Sequence, residues 1–103
     1  MFARTVRMQL KPESLSEYTQ LMEEEVIPLL RRQQGFADEI SFVRPSGKVA
    51  IGITLWEGKE SADAYQSGVH PDVMKTLASV VDGTPRVRSF QVSNSTYHKI
   101  AAR

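Results

Sequence analysis

The segment from Lys48 to Glu57 has no polar face. Val49, Ile51, Ile53 and Leu55 share one parity, and Ala50, Gly52, Thr54 and Trp56 share the other. A strand that is apolar on both sides is covered on both sides. In a chain of 103 residues, which holds a single core, the chain's own helices can cover one side of a sheet. A second subunit is the simplest cover for the other. Pairing would also add stability to a domain that leaves much of its surface exposed, so a homodimer is expected.

The remaining elements can be placed around that strand. Phe2 to Leu10 alternates, with Phe2, Val6, Met8 and Leu10 on one parity, and Lys11-Pro12 breaks it. Ser14 and Glu17 have the spacing of a capping box, and Leu15, Tyr18, Met22, Val26 and Leu29 recur at helical spacing. Pro28 lies inside this helix and should kink it, and Gly35 suits the left-handed residue beyond its end. Phe36 to Arg44 forms a hairpin with Lys48 to Glu57 across Pro45-Ser46-Gly47. Glu60 to Ser67 reads as a short helix interrupted at Gly68, and His70-Pro71-Asp72 restarts helix up to Asp82-Gly83. The last strand is Arg86 to Asn94. The order is β-α-β-β-α-β, the split plan of an α+β, ferredoxin-like domain with a four-stranded antiparallel sheet. Right-handed crossovers put both helices on one face of that sheet. The domain is expected to span residues 1–96, with 97–103 as a C-terminal tail that Tyr97 and Ile100 could anchor to a partner subunit or that could be mobile.

Composition removes several function classes. A net charge of +1 gives no reason to expect a nucleic acid or an anionic membrane as partner. The sequence has no cysteine, which excludes disulfides, thiolate metal sites and cysteine nucleophiles. His70 and His98 form no recognisable metal motif, no glycine-rich phosphate loop appears, and no apolar run is long enough to span a bilayer. No signal-peptide pattern opens the chain, so the cytoplasm is the expected compartment.

Several local features, in this order, resemble the antibiotic biosynthesis monooxygenase family. They are Val26-Ile27-Pro28 followed by Gly35-Phe36, then Leu55-Trp56-Glu57 closing the third strand, Ser61-Ala62-Asp63-Ala64-Tyr65 in a short helix, and His70-Pro71. The resemblance implies a dimeric α/β barrel. It also implies, for part of the family, oxygenation of quinols or anthrones without metal or flavin. The haem-degrading branch carries a tryptophan and a haem-ligating histidine where this chain has Gly68 and Ala78, and an asparagine in the first strand, which has none here. Haem degradation is disfavoured, and no cofactor is expected.

Cofactor-free oxygenation needs a dry pocket and groups that favour the anion of an electron-rich substrate, because that anion itself reduces dioxygen. Arg4 shares the apolar parity of its strand, and Arg88 shares parity with Phe90 and Val92. Since first and last strands are neighbours in this topology, both guanidinium groups are expected to reach one cavity and lower a phenol's pKa there. The alternative is that each reaches water at a strand end or pairs with Asp38 or a glutamate. His70 is the candidate base, or else a cap before a proline. Tyr18 and Tyr65 are candidates for orienting a small aromatic substrate, or else core tyrosines. Trp56 and Met22 complete the candidate substrate contacts. By its parity, Trp56 reads as an interface or strand-end aromatic ahead of a pocket wall, and Met22 as a core filler. The rival reading is a non-catalytic dimeric module that binds a small hydrophobic molecule or acts as a scaffold.

Overall fold

The computed structural model describes residues 1–98. Four strands, β1 (Phe2–Leu10), β2 (Phe36–Val43), β3 (Val49–Trp56) and β4 (Val81–Gln91), form one antiparallel sheet in the order β2-β3-β1-β4. Between β1 and β2 runs a helical segment made of α1 (Leu15–Leu21), a π-helical turn (Met22–Val26) and α2 (Ile27–Arg31). Between β3 and β4 lie α3 (Lys59–Gly68) and α4 (His70–Leu77). This is the expected ferredoxin-like α+β arrangement. The expected tail anchor Ile100 lies outside the described residues, and Tyr97 is exposed.

The π-helical turn explains how Pro28 fits and which residues face the sheet. Ile27 N–H donates to the Met22 carbonyl, one residue further back than in an α-helix. The turn closes just before Pro28, which then sits at the start of α2, where its missing N–H is not needed. Tyr18, Met22, Val26 and Leu30 are all buried. Residues four apart drift by about 40° per step around an α-helix, and one inserted residue absorbs much of that drift. The insertion also moves the last inward position from the expected Leu29 to Leu30. Ser14 does not cap α1 with its side chain; its hydroxyl turns back to the Pro12 carbonyl.

Gly35 adopts φ +78° as expected, and it does more than end a helix. A Cβ placed there would fall 2.5 Å from Ser61 Cβ, so α3 is seated directly on this glycine. Its carbonyl accepts the Glu57 N–H at 2.8 Å, tying the turn to the end of β3.

Strand pairing assigns the two faces of the sheet. Arg4 pairs with Thr54 and Ser89, and Val6 pairs with Gly52 and Val87; these residues face the helices. Val49, Ile51, Ile53 and Leu55 therefore face away from them, and Ala50, Gly52, Thr54 and Trp56 face the core. Trp56 is fully buried there, which corrects its expected place at an interface. Of these Val49 is buried, and Ile51, Ile53 and Leu55 are the uncovered set. With Ile40, Phe42 and Phe90 they make an exposed apolar surface, in which Phe42 is 54% and Phe90 50% accessible. β4 begins at Val81, earlier than expected, and absorbs Gly83 in a register shift opposite Arg7 and Gln9.

Candidate active site

A cleft opens between the helix-facing side of the sheet and the helices. It encloses about 370 Å³ of space, its open mouth included, of which only about 40 Å³ admits the centre of a water-sized sphere. That is room for a few waters. Its floor carries Arg4, Val6 and Met8 of β1, Gly52 and Thr54 of β3, and Glu39 of β2. Its roof carries Tyr18, Met22, Val26 and Leu30 from the first helical segment, Tyr65 from α3, and His70, Val73, Met74 and Leu77 from α4.

Arg4 dominates the electrostatics. Its side chain is 2% exposed, yet among the described residues it forms no salt bridge. Its Nε and Nη2 donate to Gln66 Oε1 at 3.2 and 2.6 Å, and its guanidinium lies 5.1 Å from the centre of the Tyr65 ring. These contacts hold the group in place without cancelling its charge. Burial pulls Arg4 below its ordinary value, with Tyr65 and Asp63 opposing, and an arginine still stays protonated. A buried cation beside neutral partners favours an anion in the adjoining space.

Tyr65 is the centre of an aromatic row. Its ring lies 4.9 Å from Trp56 and 5.8 Å from His70, and Trp56 in turn meets Phe36 edge-on at 5.5 Å. Trp56 thus stands behind Tyr65 instead of lining the cleft, with its Nε1 donating to Thr54 Oγ1 at 2.9 Å. Burial pushes the Tyr65 hydroxyl up to about 12, against the pull of Arg4. Burial raises Tyr18 as well, with the Ser41 hydrogen bond opposing. Both phenols are neutral hydrogen-bonding groups near pH 7.

His70 lines the same cleft, but burial, helped by the Arg4 charge, pulls its imidazolium down to about 4. It is a neutral ring at pH 7 and a weak base. The shift also predicts a pH dependence of stability. Above about pH 6.5 the ring is neutral in both the folded and the unfolded chain and contributes nothing. As pH falls, the unfolded chain gains a proton that the folded chain refuses until about pH 4. Stability should therefore drop by about 2 kcal/mol toward pH 4.5. Urea unfolding at both pH values, in wild type and His70→Asn, measures this; an unchanged pH dependence in the variant would refute it.

The expected convergence of Arg4 and Arg88 does not occur. Arg88 pairs with Thr5, so it projects from the uncovered face with Arg7 and Arg86 and is exposed. Its strand mates Phe90 and Arg86 face the same way, and it is Val87 and Ser89 that face the helices. The apolar parity of β4 belongs to the outer surface, whereas that of β1 belongs to the core. Arg4, Tyr18, Met22, Tyr65 and His70 come together in the cleft; Arg88 does not.

Glu39 was missed. It reaches the cleft from edge strand β2, with its Oε2 accepting from Ser41 Oγ at 2.8 Å. Ser41 Oγ in turn accepts from the Tyr18 hydroxyl at 3.4 Å. Burial raises the Glu39 carboxyl above its ordinary range, with the Ser41 hydrogen bond opposing. The signal lay in β2, where Glu39 and Ser41 share the parity opposite Ile40 and Phe42.

No family model and no curated protein matches this sequence. Solved structures do match its fold. A monooxygenase of Streptomyces coelicolor, determined in complex with nanaomycin D, superposes with a TM-score of 0.77 at 15% identity, covering 91% of this chain and 88% of that one. SnoaB, a cofactor-independent oxygenase of Streptomyces nogalater, gives 0.76 at 12% identity over 94% and 97%. A Nitrosomonas europaea protein of unknown function, NE2512, gives 0.76 at 15% identity over 98% and 94%. Proteins of Bordetella bronchiseptica and Deinococcus radiodurans named as antibiotic biosynthesis monooxygenases match the fold as well, so the chain has the α+β fold of proteins so named, in agreement with the resemblance read from its motifs.

Proposed function

We propose that this protein is a cofactor-independent monooxygenase of an aromatic phenol or quinol, working as a homodimer. The observation that carries the reading is Arg4, a buried guanidinium in an apolar cleft whose partners leave its charge available. Next to it a hydroxyarene ionises more readily, because the cation stabilises the anion. The electron-rich anion passes electrons to dioxygen; one oxygen atom enters the substrate and the other leaves as water, with all four electrons coming from the substrate. Tyr18 and Tyr65 orient the ring, and neutral His70 supplies a further hydrogen bond. The fold shared with a cofactor-independent oxygenase and with a monooxygenase bound to nanaomycin D supports this choice of chemistry. The test is aerobic conversion of 1,4-dihydroxynaphthalene, in ¹⁸O₂ and with a chelator present, to a hydroxynaphthoquinone carrying one labelled atom. No rate above spontaneous oxidation would reject the reading.

The narrowness of the cleft favours a second reading. Space for a few waters suits a small ligand-binding module unless Met22 and Met74 give way, which flexible thioether side chains can do. A bound, unconverted naphthol would mark that outcome.

The dimer half of the proposal rests on the uncovered face. Exposed aromatic and aliphatic surface of this kind marks an interaction site, and a matching face on a second copy completes the cover. Phe42→Asp should leave the monomer folded, because Phe42 is 54% exposed, and should shift the protein to monomer in light scattering at micromolar concentration. An unchanged mass would remove this face from the proposal.

A further inference from the structure

Among the described residues the cleft holds one carboxyl, that of Glu39, and it stands across from Arg4. Glu39 and Arg4 both pair with Thr54, so the three occupy one row of the sheet. Their backbones are two strand spacings, roughly 10 Å, apart. Neither forms a salt bridge with the other. Gly52 keeps the space beside the carboxylate open; a Cβ there would lie 3.5 Å from Glu39 Oε2. Ser41 holds Oε2, and no described residue donates a hydrogen bond to Oε1. Tyr65, which lies against Arg4, also feels the charge of Glu39.

We propose that Glu39 is the catalytic residue that takes the proton from the bound hydroxyarene, with Ser41 and Tyr18 as positioning residues that fix its carboxylate. The inference rests on the oxygenase reading above and adds a substrate requirement: a hydroxyl at the Glu39 end and an oxygen acceptor at the Arg4 end, as in a para-dioxygenated ring. The phenolic O–H bond breaks, its electron pair stays on the oxygen, and the proton ends on Oε1. The net charge of the cleft is unchanged, and the negative charge spreads onto the ring carbons ortho and para to that oxygen, where the field of Arg4 favours it. This fits the apolar cleft better than transfer to His70, whose charged form burial and Arg4 disfavour.

Four other titratable or charged groups line the cleft around Glu39: Tyr18 from α1, Tyr65 from α3, His70 from α4 and Arg4 from β1. In mildly acidic solution the tyrosines stay protonated, Arg4 stays charged and His70 stays neutral, so Glu39 sets the acid limb of the pH profile. Glu39→Gln keeps the shape and removes the base. Turnover of 1,4-dihydroxynaphthalene should fall about 100-fold and the acid limb should vanish. Ser41→Ala should lower turnover less than Glu39→Gln does and move that limb to higher pH, because the hydrogen bond that fixes and favours the carboxylate is gone. A binding measurement separates this inference from the reaction. At pH 6, 4-nitrophenol should bind Glu39→Gln about tenfold more weakly than wild type, since a charge-assisted hydrogen bond is replaced by a neutral one. Wild-type turnover in Glu39→Gln, or 4-nitrophenol binding that is equal or absent, overturns the role of Glu39. Glu39-dependent binding without any turnover rejects the oxygenase reading alone.

Discussion

Gly35→Ala should be the most damaging small substitution in this fold, costing about 2–5 kcal/mol. Two separate penalties add. At φ +78° a side chain brings roughly 1–2 kcal/mol of backbone strain. The new methyl also meets Ser61 Cβ at 2.5 Å and Ser61 Oγ at 2.1 Å. A serine rotamer change relieves the second contact but not the first, so α3 must shift, which costs about 1–3 kcal/mol. Small domains hold only about 5–15 kcal/mol in total, so a large part of the margin goes. The shift would also move Tyr65 and Gln66, the partners of Arg4, which ride on α3. Urea unfolding measures the loss. The control is Gly68→Ala, at the end of the same helix, where an added Cβ meets nothing within 4 Å and should not destabilise the fold. A Gly35→Ala loss below about 0.5 kcal/mol would show that the turn and α3 are not held against each other as described.

Arg4→Met should separate function from stability. Removing the cation should lower kcat/KM for a hydroxyarene about 10²–10³-fold, the usual cost of losing one preorganised electrostatic contact to a developing anion. The fold should be unharmed or slightly stabilised, because a desolvated charge without a carboxylate partner is replaced by an apolar chain of similar length. Gln66, the group left behind, is exposed and can turn to water. Arg4→Lys should recover activity only in part, since an ammonium lacks the planar fork that lies against Tyr65 and reaches Gln66 with two nitrogens. Thermal melts and steady-state kinetics on the same preparations decide the matter. Severe destabilisation with retained kcat/KM would make Arg4 a structural residue.

The architecture was legible because each element carries its own period: alternation in β1, the four-residue spacing through Tyr18 and Met22, and Gly35 after the helix. Arg4 was legible for the same reason, as a charge on the apolar parity of its strand. What parity within one strand cannot say is which face of the sheet it describes. In β1 the apolar set faces the helices, while in β3 both sets are apolar, and in β4 Phe90 and Arg88 face outward together. The expectations for Arg88 and Trp56 failed on that ambiguity, which only pairing register resolves. Glu39 was hidden by a second device. A register irregularity between Phe36 and Asp38 puts Phe36 inward beside Trp56 while Ile40 and Phe42 point outward, so the simple alternation of β2 misassigns one end. Sequence periodicity also cannot announce a π-helical turn, although Pro28 marked the place where the helix had to change.

The uncovered face and the cleft are two sides of one wall a single backbone thick. Every second residue of β3 serves one tenant and the residues between serve the other: Ile51 and Ile53 look outward while Gly52 and Thr54 floor the cleft. Neither surface can drift in evolution by insertion or slippage without evicting its neighbour. One residue of slip would set isoleucines against Arg4 and leave glycine and threonine where apolar cover is needed. Change can then proceed only by substitution in place, so the outer surface acts as a ratchet on the geometry of the inner one.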